Sequence, residues 1–289
     1  MQIQTGAIEI GLAVGAESMT VGGDRLKRPF VDDILQGPQD AVDCMQPMGQ
    51  TSENVAAQFS ISREDQDKYA ATSYSRAKTA QESGWFQDEI TPITVRKDGK
   101  LVTLTHDEGI RSTSYEMLSK LRPAFPEFGE ASTAGNSSQL TDGAAAVLLM
   151  KRSTALKLGQ PIVAKYVSAV SAGVPPHIMG IGPTVAIPKL LQRLKISLDD
   201  VDVVEINEAF ASMAVYCRDK LQIDEKKLNP RGGAIAIGHP LGCTGIRQIV
   251  TGLSECRRTN TRVLLTSMCV GTGQGMAGLF VTVQDRSPA

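Results

Sequence analysis

An α/β architecture is predicted for this chain of 289 residues, on three observations. Beyond about residue 160, segments rich in β-branched residues alternate with segments of helical period. Several of the strand-like runs end on asparagine, histidine or glycine turns, where α/β folds place their sites. Between two isolated strand-like runs lie long helical stretches and one hairpin, the pattern of a subdomain inserted between strands. Such alternation argues for a sheet covered by helices. A chain of this length buries a core without disulfides or metals.

In order, "AIEIGLAVGA" at 6–15 reads as a buried strand, and residues 22–50 as irregular, with Gly, Pro and Asp throughout. Thr51 or Ser52 is expected to cap a first helix. Ser62 caps a second, with Asp65 three residues on as a near capping box. "ITPITV" and "KLVTLTHDEG" pair around Asp98-Gly99, a strong hairpin signal. "SYEMLSKLRPAF" reads as a short helix ended by Pro123. "STAGNSSQLTDGAA" is a polar loop leading into the strand "AAVLLMK". Then come a strand over "PIVAKYVSAVSAG", a helix opened by Pro183, the strand "DVDVVEIN" and the helix "EAFASMAVYCRDKL". "GGAIAIGHP" reads as a strand into a turn, "TGIRQIVTGLSECRRT" as a helix, and "RVLLTSMCVGTGQGMAGLFVTVQ" as strand, glycine turn and strand.

A formal net charge of −1 gives no general electrostatic pull toward nucleic acid or an anionic membrane. No apolar run approaches the roughly 20 residues that span a bilayer. The cysteines, 44, 217, 243, 256 and 269, are odd in number with no CxxC, which argues against a disulfide framework or structural zinc and for a reducing compartment. Three histidines far apart make a metal site unexpected. The opening residues lack a basic n-region, and Glu9 interrupts the apolar stretch, so they read as a poor signal peptide. A chain that begins almost directly on a core strand reads as one whose upstream sequence is missing; a terminal strand paired normally in a sheet explains the same residues. The ending "DRSPA" is not a Ser-Lys-Leu peroxisomal address.

Three positions carry candidate chemistry. Asn207, with Glu208, sits where a buried strand meets a helix; its amide is placed to hold a water or face an oxyanion, or simply to cap the helix. His239 lies on a loop stiffened by Gly238, Pro240, Gly242 and Gly245, as a catalytic imidazole requires; a turn histidine satisfied by backbone is the plainer reading. Cys269 ends an apolar strand and enters a turn of Gly271, Gly273 and Gly275, whose N–H groups can stabilise an oxyanion and favour a thiolate; otherwise it is an inert buried thiol. Met45 and Met48 flank Pro47 as pocket or core residues, and "GNSSQ" offers Ser137 and Ser138 for ligand contact. Cys243, Cys217, Cys256, Cys44, His106 and His177 have no supporting constellation. No Walker A or G-x-G-x-x-G fingerprint stands at a strand–helix junction, so nucleotide phosphate chemistry is unsupported.

The motifs "NEAFA", "NPRGGAIAIGHPLGCTGIRQ" and "SMCVGTGQGMAG" resemble the C-terminal domain of the thiolase family. "GAESMT", "PMGQTSENVA", "DEGIR", "KLRPAF" and "STAGNSSQLTDGAAAVLL" resemble earlier landmarks of that family in the same order. "MGQTSENVAAQFSISREDQD" and "GVPPHIMGIGP" are most similar to thiolases of the peroxisomal 3-ketoacyl-CoA type. The resemblance covers essentially the whole chain. It implies a fold of helix–sheet layers in which 1–21 with 133–158 is the remnant of an incomplete N-terminal domain, 22–132 an inserted loop subdomain, and 159–289 a complete C-terminal domain.

It also implies roles: thiolytic cleavage of 3-ketoacyl-CoA to acyl-CoA and acetyl-CoA, with His239 activating a nucleophilic cysteine, Cys269 moving a proton, and Asn207 holding a water beside the oxyanion. Ser138 and Phe210 would contact the CoA arm. Met48 and Gly271 join them as substrate contacts on the pocket and turn readings above. No permanently bound cofactor is implied, coenzyme A being a co-substrate. Partners would be acyl-CoA thioesters and a homo- or hetero-oligomer of thiolase-like subunits, in peroxisomes, or in the cytoplasm if an N-terminal address is absent. The family's nucleophile lies in a Cys-Ser-Ser-Gly-type motif that none of the five cysteines occupies. The 289-residue chain is therefore expected to be inactive or dependent on missing sequence, or to be an inert acyl-CoA- or partner-binding protein.

Overall fold

A computed structural model describes residues 2–22 and 32–283. Part of the irregular stretch expected over 22–50, namely 23–31, and the "DRSPA" ending lie outside the described residues. The elements begin with α1 (Gln2–Thr5), β1 (Ile10–Glu17), α2 (Met19–Gly22), α3 (Asp32–Leu35), α4 (Gln39–Asp43), α5 (Met48–Gln58) and α6 (Arg63–Glu82). There follow β2 (Ile93–Lys97), β3 (Lys100–Leu104), α7 (Tyr115–Leu118), β4 (Gly143–Met150) and α8 (Arg152–Lys157). The rest is β5 (Ala164–Gly173), a 3₁₀ turn (Pro176–Ile181), α9 (Gly182–Leu194), β6 (Val203–Ile206), α10 (Ala211–Leu221), α11 (Ala234–Ile237), α12 (Thr244–Arg258), β7 (Val263–Val270) and β8 (Gln274–Thr282).

The expected α/β layering is present. A four-stranded sheet runs in the order β5-β8-β7-β6, antiparallel except for the parallel pair β6–β7. Strand β6 is buried along its whole length, which is why it reads as an apolar run rather than an alternating one. Its residues Val204 and Ile206 join Ile187, Leu190, Ala214 and Leu265 in the larger core, on the side of α9 and α10. Val203 and Leu264 face the other way, toward Cys256 of α12. Strands β1 and β4 form a separate antiparallel ribbon packed on α12. Its outer face leaves Ile10, Leu12, Val14 and Leu148 exposed.

Local chemistry sets the α6 cap and the hairpin. Ser62 caps α6 by accepting from the Asp65 N–H at 3.0 Å. Asp98 and Gly99 both take positive φ (+50° and +78°) between β2 and β3, as a two-residue hairpin turn needs.

Four expectations shift. The first strand begins at Ile10 rather than residue 6, behind a single helical turn. Helix α5 begins at Met48 behind Pro47, ahead of Thr51 and Ser52. Thr51 bonds back to the Met48 carbonyl, and Ser52 is spent on the hydroxyls of Ser132 and Ser212. Helix α7 stops at Leu118, short of Pro123.

The fourth shift matters for the site: "GGAIAIGHP" contains the helical turn α11, not a strand. Gly233 and Ala234 carbonyls accept the N–H groups of Ala236, Ile237 and Gly238. The Ile235 N–H, an orphan donor of that turn, finds the carboxylate of Glu208 at 3.2 Å. A buried apolar run carries no period that separates these outcomes; a carboxylate from elsewhere in the chain decides it.

Candidate active site

Asn207 continues β6 by one residue, its N–H donating to the Ser267 carbonyl of β7 at 3.0 Å. Its side chain is fully buried and meets His239, with Asn207 Nδ2 3.2 Å from His239 Nε2. On the other side of the ring, His239 Nδ1 lies 2.6 Å from Thr244 Oγ1. The Thr244 hydroxyl spends its single proton on the Pro240 carbonyl at 2.9 Å. It can therefore only accept from the ring, which assigns the proton to Nδ1 and a lone pair to Nε2. That lone pair faces the Asn207 amide N–H. Asn207 Oδ1 is buried with no protein partner.

The loop is held by its close approach to residues 139–141. Gly238 has φ +94°, and a Cβ there would lie 2.1 Å from Thr141 Oγ1, so only glycine fits. Burial, with Arg247 second, pushes His239 down to about 4. The ring is neutral at physiological pH and presents an unprotonated nitrogen toward Asn207. Thr244→Val is expected to strand the Nδ1 proton and to cost about 1–3 kcal/mol, the usual penalty for an unpaired buried polar group, read as a lowered urea midpoint.

Cys269 lies on β7 in a small cluster with Met179 and Met213, against which Ala209 and Phe210 pack. Its thiol donates to Met213 Sδ at 3.6 Å. Burial pushes it up to about 12. The expectation that the glycine turn favours a thiolate is corrected: the sulfur is enclosed by methionines, and desolvation outweighs the turn's N–H groups. Cys269 keeps its proton. It is linked to the Asn207–His239 pair through Ala209 and Phe210 rather than by a direct bond.

The four remaining candidates divide. Ser138 N–H donates to the Ala209 carbonyl at 3.0 Å, and Ser137 pairs with Phe210, so "GNSSQ" runs beside the segment after Asn207. Phe210 meets Phe125 edge-on at 6.2 Å. The Phe125 ring lies against Gly49, next to the exposed Met48. Ser138, Phe210 and Phe125 thus form one half-buried strip that opens at the exposed Met48. Gly271 sits apart, exposed on the turn after Cys269 with open space around it.

Thr244, Phe125 and the buried Glu205 with its half-buried partner Arg247 (3.3 Å) were not among the expected site residues. A hydroxyl five residues past a histidine, across a Pro-Gly turn, is the one signal that points to Thr244. All five cysteines are free thiols. Among the described residues no group of three His, Cys, Asp or Glu side chains could hold a metal, and no helix is long and apolar enough to cross a membrane.

Residues 1–153 match the family model for the thiolase N-terminal domain, and residues 160–282 that for the thiolase C-terminal domain. The chain belongs to the thiolase family. Among its relatives, the peroxisomal 3-ketoacyl-CoA thiolase A of Mus musculus is 50% identical over 96% of this chain and 67% of its own length. That of Yarrowia lipolytica is 52% identical over 97% and 69%, and that of Homo sapiens 50% over 96% and 67%. The dimeric peroxisomal thiolase of Saccharomyces cerevisiae superposes with a TM-score of 0.91 at 47% identity, covering 98% of this chain and 71% of that one. Human mitochondrial 3-ketoacyl-CoA thiolase gives 0.87 at 36% identity, over 98% and 74%.

Proposed function

We propose that the Asn207–His239 pair serves thiolase-type acyl transfer on 3-ketoacyl-CoA thioesters, with coenzyme A as co-substrate and no permanently bound cofactor. The contact of a neutral imidazole with a buried amide at a strand end carries this reading. In the cleavage direction the bond between C2 and C3 of the substrate breaks. The acyl group passes to a thiolate, and the released acetyl-CoA carbanion takes a proton. Cys269, holding its proton in an apolar cluster, suits that donor role. Asn207 Oδ1, unpaired and buried, suits a water beside the reacting carbonyl. Ser138, Phe210 and Met48 offer a narrow strip for the CoA arm, and Gly271 the open turn beyond it. The peroxisomal relatives and the dimeric yeast enzyme support location in peroxisomes and association with a like subunit.

Acyl transfer also needs a nucleophilic thiolate. Cys217, Cys243, Cys256 and Cys269 are buried, and burial raises each of their thiols. Cys44, half-buried, donates to the Thr272 carbonyl at 3.7 Å. His239 Nε2 faces an amide, not a sulfur. These observations favour a second reading for the 289 residues alone: acyl-CoA binding without turnover. Removing one member of a catalytic unit costs about 10⁶-fold, so acetoacetyl-CoA cleavage by the pure chain is expected to be undetectable while calorimetry finds CoA affinity. Robust cleavage would contradict the second reading, and absence of any CoA affinity would contradict both.

A further inference from the structure

We infer that Glu208 is the positioning residue of the Asn207–His239 pair: one buried carboxylate fixes both the strand end that carries Asn207 and the helical turn that leads to His239. The inference rests on the reading of that pair as the reacting groups. Glu208 directly follows Asn207 and is 1% exposed. Its Oε1 accepts from the Tyr69 hydroxyl at 3.0 Å and from Asn229 Nδ2 at 2.8 Å. Its Oε2 accepts from the Ser73 hydroxyl at 2.6 Å and from the Ile235 N–H at 3.2 Å. Those four donors come from three separate segments: α6, the loop before α11, and α11 itself.

Each partner extends the clamp. Asn229 brackets the end of β6, its Oδ1 accepting from the Ile206 N–H at 2.9 Å and its Nδ2 donating to the Ile206 carbonyl at 2.8 Å. The Ser73 hydroxyl also accepts from the Gly233 N–H at 3.0 Å, at the start of α11. A Cβ on Gly233 would lie 2.4 Å from the Glu208 carboxyl carbon, so the carboxylate occupies the space that glycine leaves. His239 stands two residues beyond α11, with Gly238 between. A displacement of α11 therefore passes straight to the imidazole.

Energetics argue that shape, not stability, is what this carboxylate supplies. All four donors are neutral. A buried carboxylate without a cationic partner is costly, and an apolar plug of equal volume is often the cheaper solution. What a carboxylate offers that no other side chain does is four convergent acceptor sites on a rigid plane. The inserted helix α6 is thereby tied to the site through Tyr69 and Ser73.

The test reads the imidazole itself. With only three histidines in the chain, ring nitrogen signals in a 15N-labelled sample are assignable, His239 by its loss in His239→Gln. Glu208→Gln keeps the volume but replaces one acceptor oxygen by a donor, so two of the four donors lose their partner. The His239 ring signals are expected to move, because the turn that leads to the ring loses its anchor at the Ile235 N–H. Signals of His106 and His177 stay in place. Ser73→Ala, which cuts the links to Glu208 and to Gly233 without touching a charge, is expected to move the same signals in the same direction, and it decides the matter if Glu208→Gln does not fold. Should either folded variant lose thermal stability while its His239 signals superpose on those of the parent, Glu208 is structural and the inference is overturned. Failure of the acyl-transfer reading looks different: acetyl-CoA leaves the His239 signals of the parent unmoved, yet the Glu208 and Ser73 variants still shift them.

Discussion

Glu205→Gln is expected to stabilise the protein, and by more the higher the pH. Glu205 lies on β6 two residues before Asn207, 1% exposed, with Arg247 Nη1 3.3 Å from Oε2 and no protein partner for Oε1. Burial pushes its carboxyl up to about 8, against the opposing pull of Arg247, with Glu208 and Glu89 adding to the rise. In the folded protein Glu205 thus holds its proton through neutral pH, whereas in the unfolded chain it releases it near 4.5. The folded state binds more protons between those values, so stability falls as pH climbs from about 4.5 to 8. An amide of the same shape has no such proton to lose. The gain should be near zero at pH 4.5 and reach roughly 2–4 kcal/mol by pH 8, at 1.36 kcal/mol per unit discounted for local relaxation. Urea midpoints of parent and variant at several pH values measure it. A destabilised Glu205→Gln at pH 8 would mean that the group is an ionised partner of Arg247 instead.

Arg231→Met should have the opposite effect and a larger one at neutral pH. Arg231 is buried, with Nε 2.8 Å from Glu255 and Nη1 donating to the Trp85 carbonyl at 2.6 Å and to Ser254 at 3.2 Å. It ties the "NPRGG" segment and the far end of α12 to the turn at 85–89. Removing one partner of a buried pair leaves an uncompensated charge and costs about 3–5 kcal/mol, much of the stability of an ordinary domain. Glu255 keeps Arg258, whose Nη2 lies 2.6 Å away, which places the loss at the lower end of that range. The double variant Arg231→Met, Glu255→Met should recover part of it, because the closest buried pair is then gone, though Glu89, 3.5 Å from Arg231 Nη1, still loses its cation. A single variant within 1 kcal/mol of the parent would show that the pair contributes little.

Much of the site was legible in the sequence because its signals are local. Asn207 and His239 each stand at the end of an apolar run, His239 between Gly238 and Pro240, and the structure joins them. The Asp98-Gly99 turn and the Ser62 cap are equally local: those two turn residues take the positive φ the hairpin needs, and the Ser62 hydroxyl answers the Asp65 N–H three residues on. What escaped depends on partners far off in sequence. The helical turn α11 forms around a carboxylate from residue 208, which Ser73 and Tyr69 of α6 also bind. The protonated state of Cys269 comes from Met179 and Met213, neither near it in the chain. The strip from Met48 to Phe210 runs through Phe125, whose role depends on Gly49 lying under its ring. Thr244 reads as an ordinary first helical residue until the Pro240 carbonyl is seen to take its proton.

The central physical claim is that His239 is a desolvated, neutral imidazole whose Nε2 lone pair is presented to Asn207. A pH titration of its ring nitrogens in the parent protein tests this most directly. Expected are a proton on Nδ1 at pH 7, an unprotonated Nε2, and a midpoint of about 4. A midpoint near 6.5, or a proton resident on Nε2 at neutral pH, would contradict it.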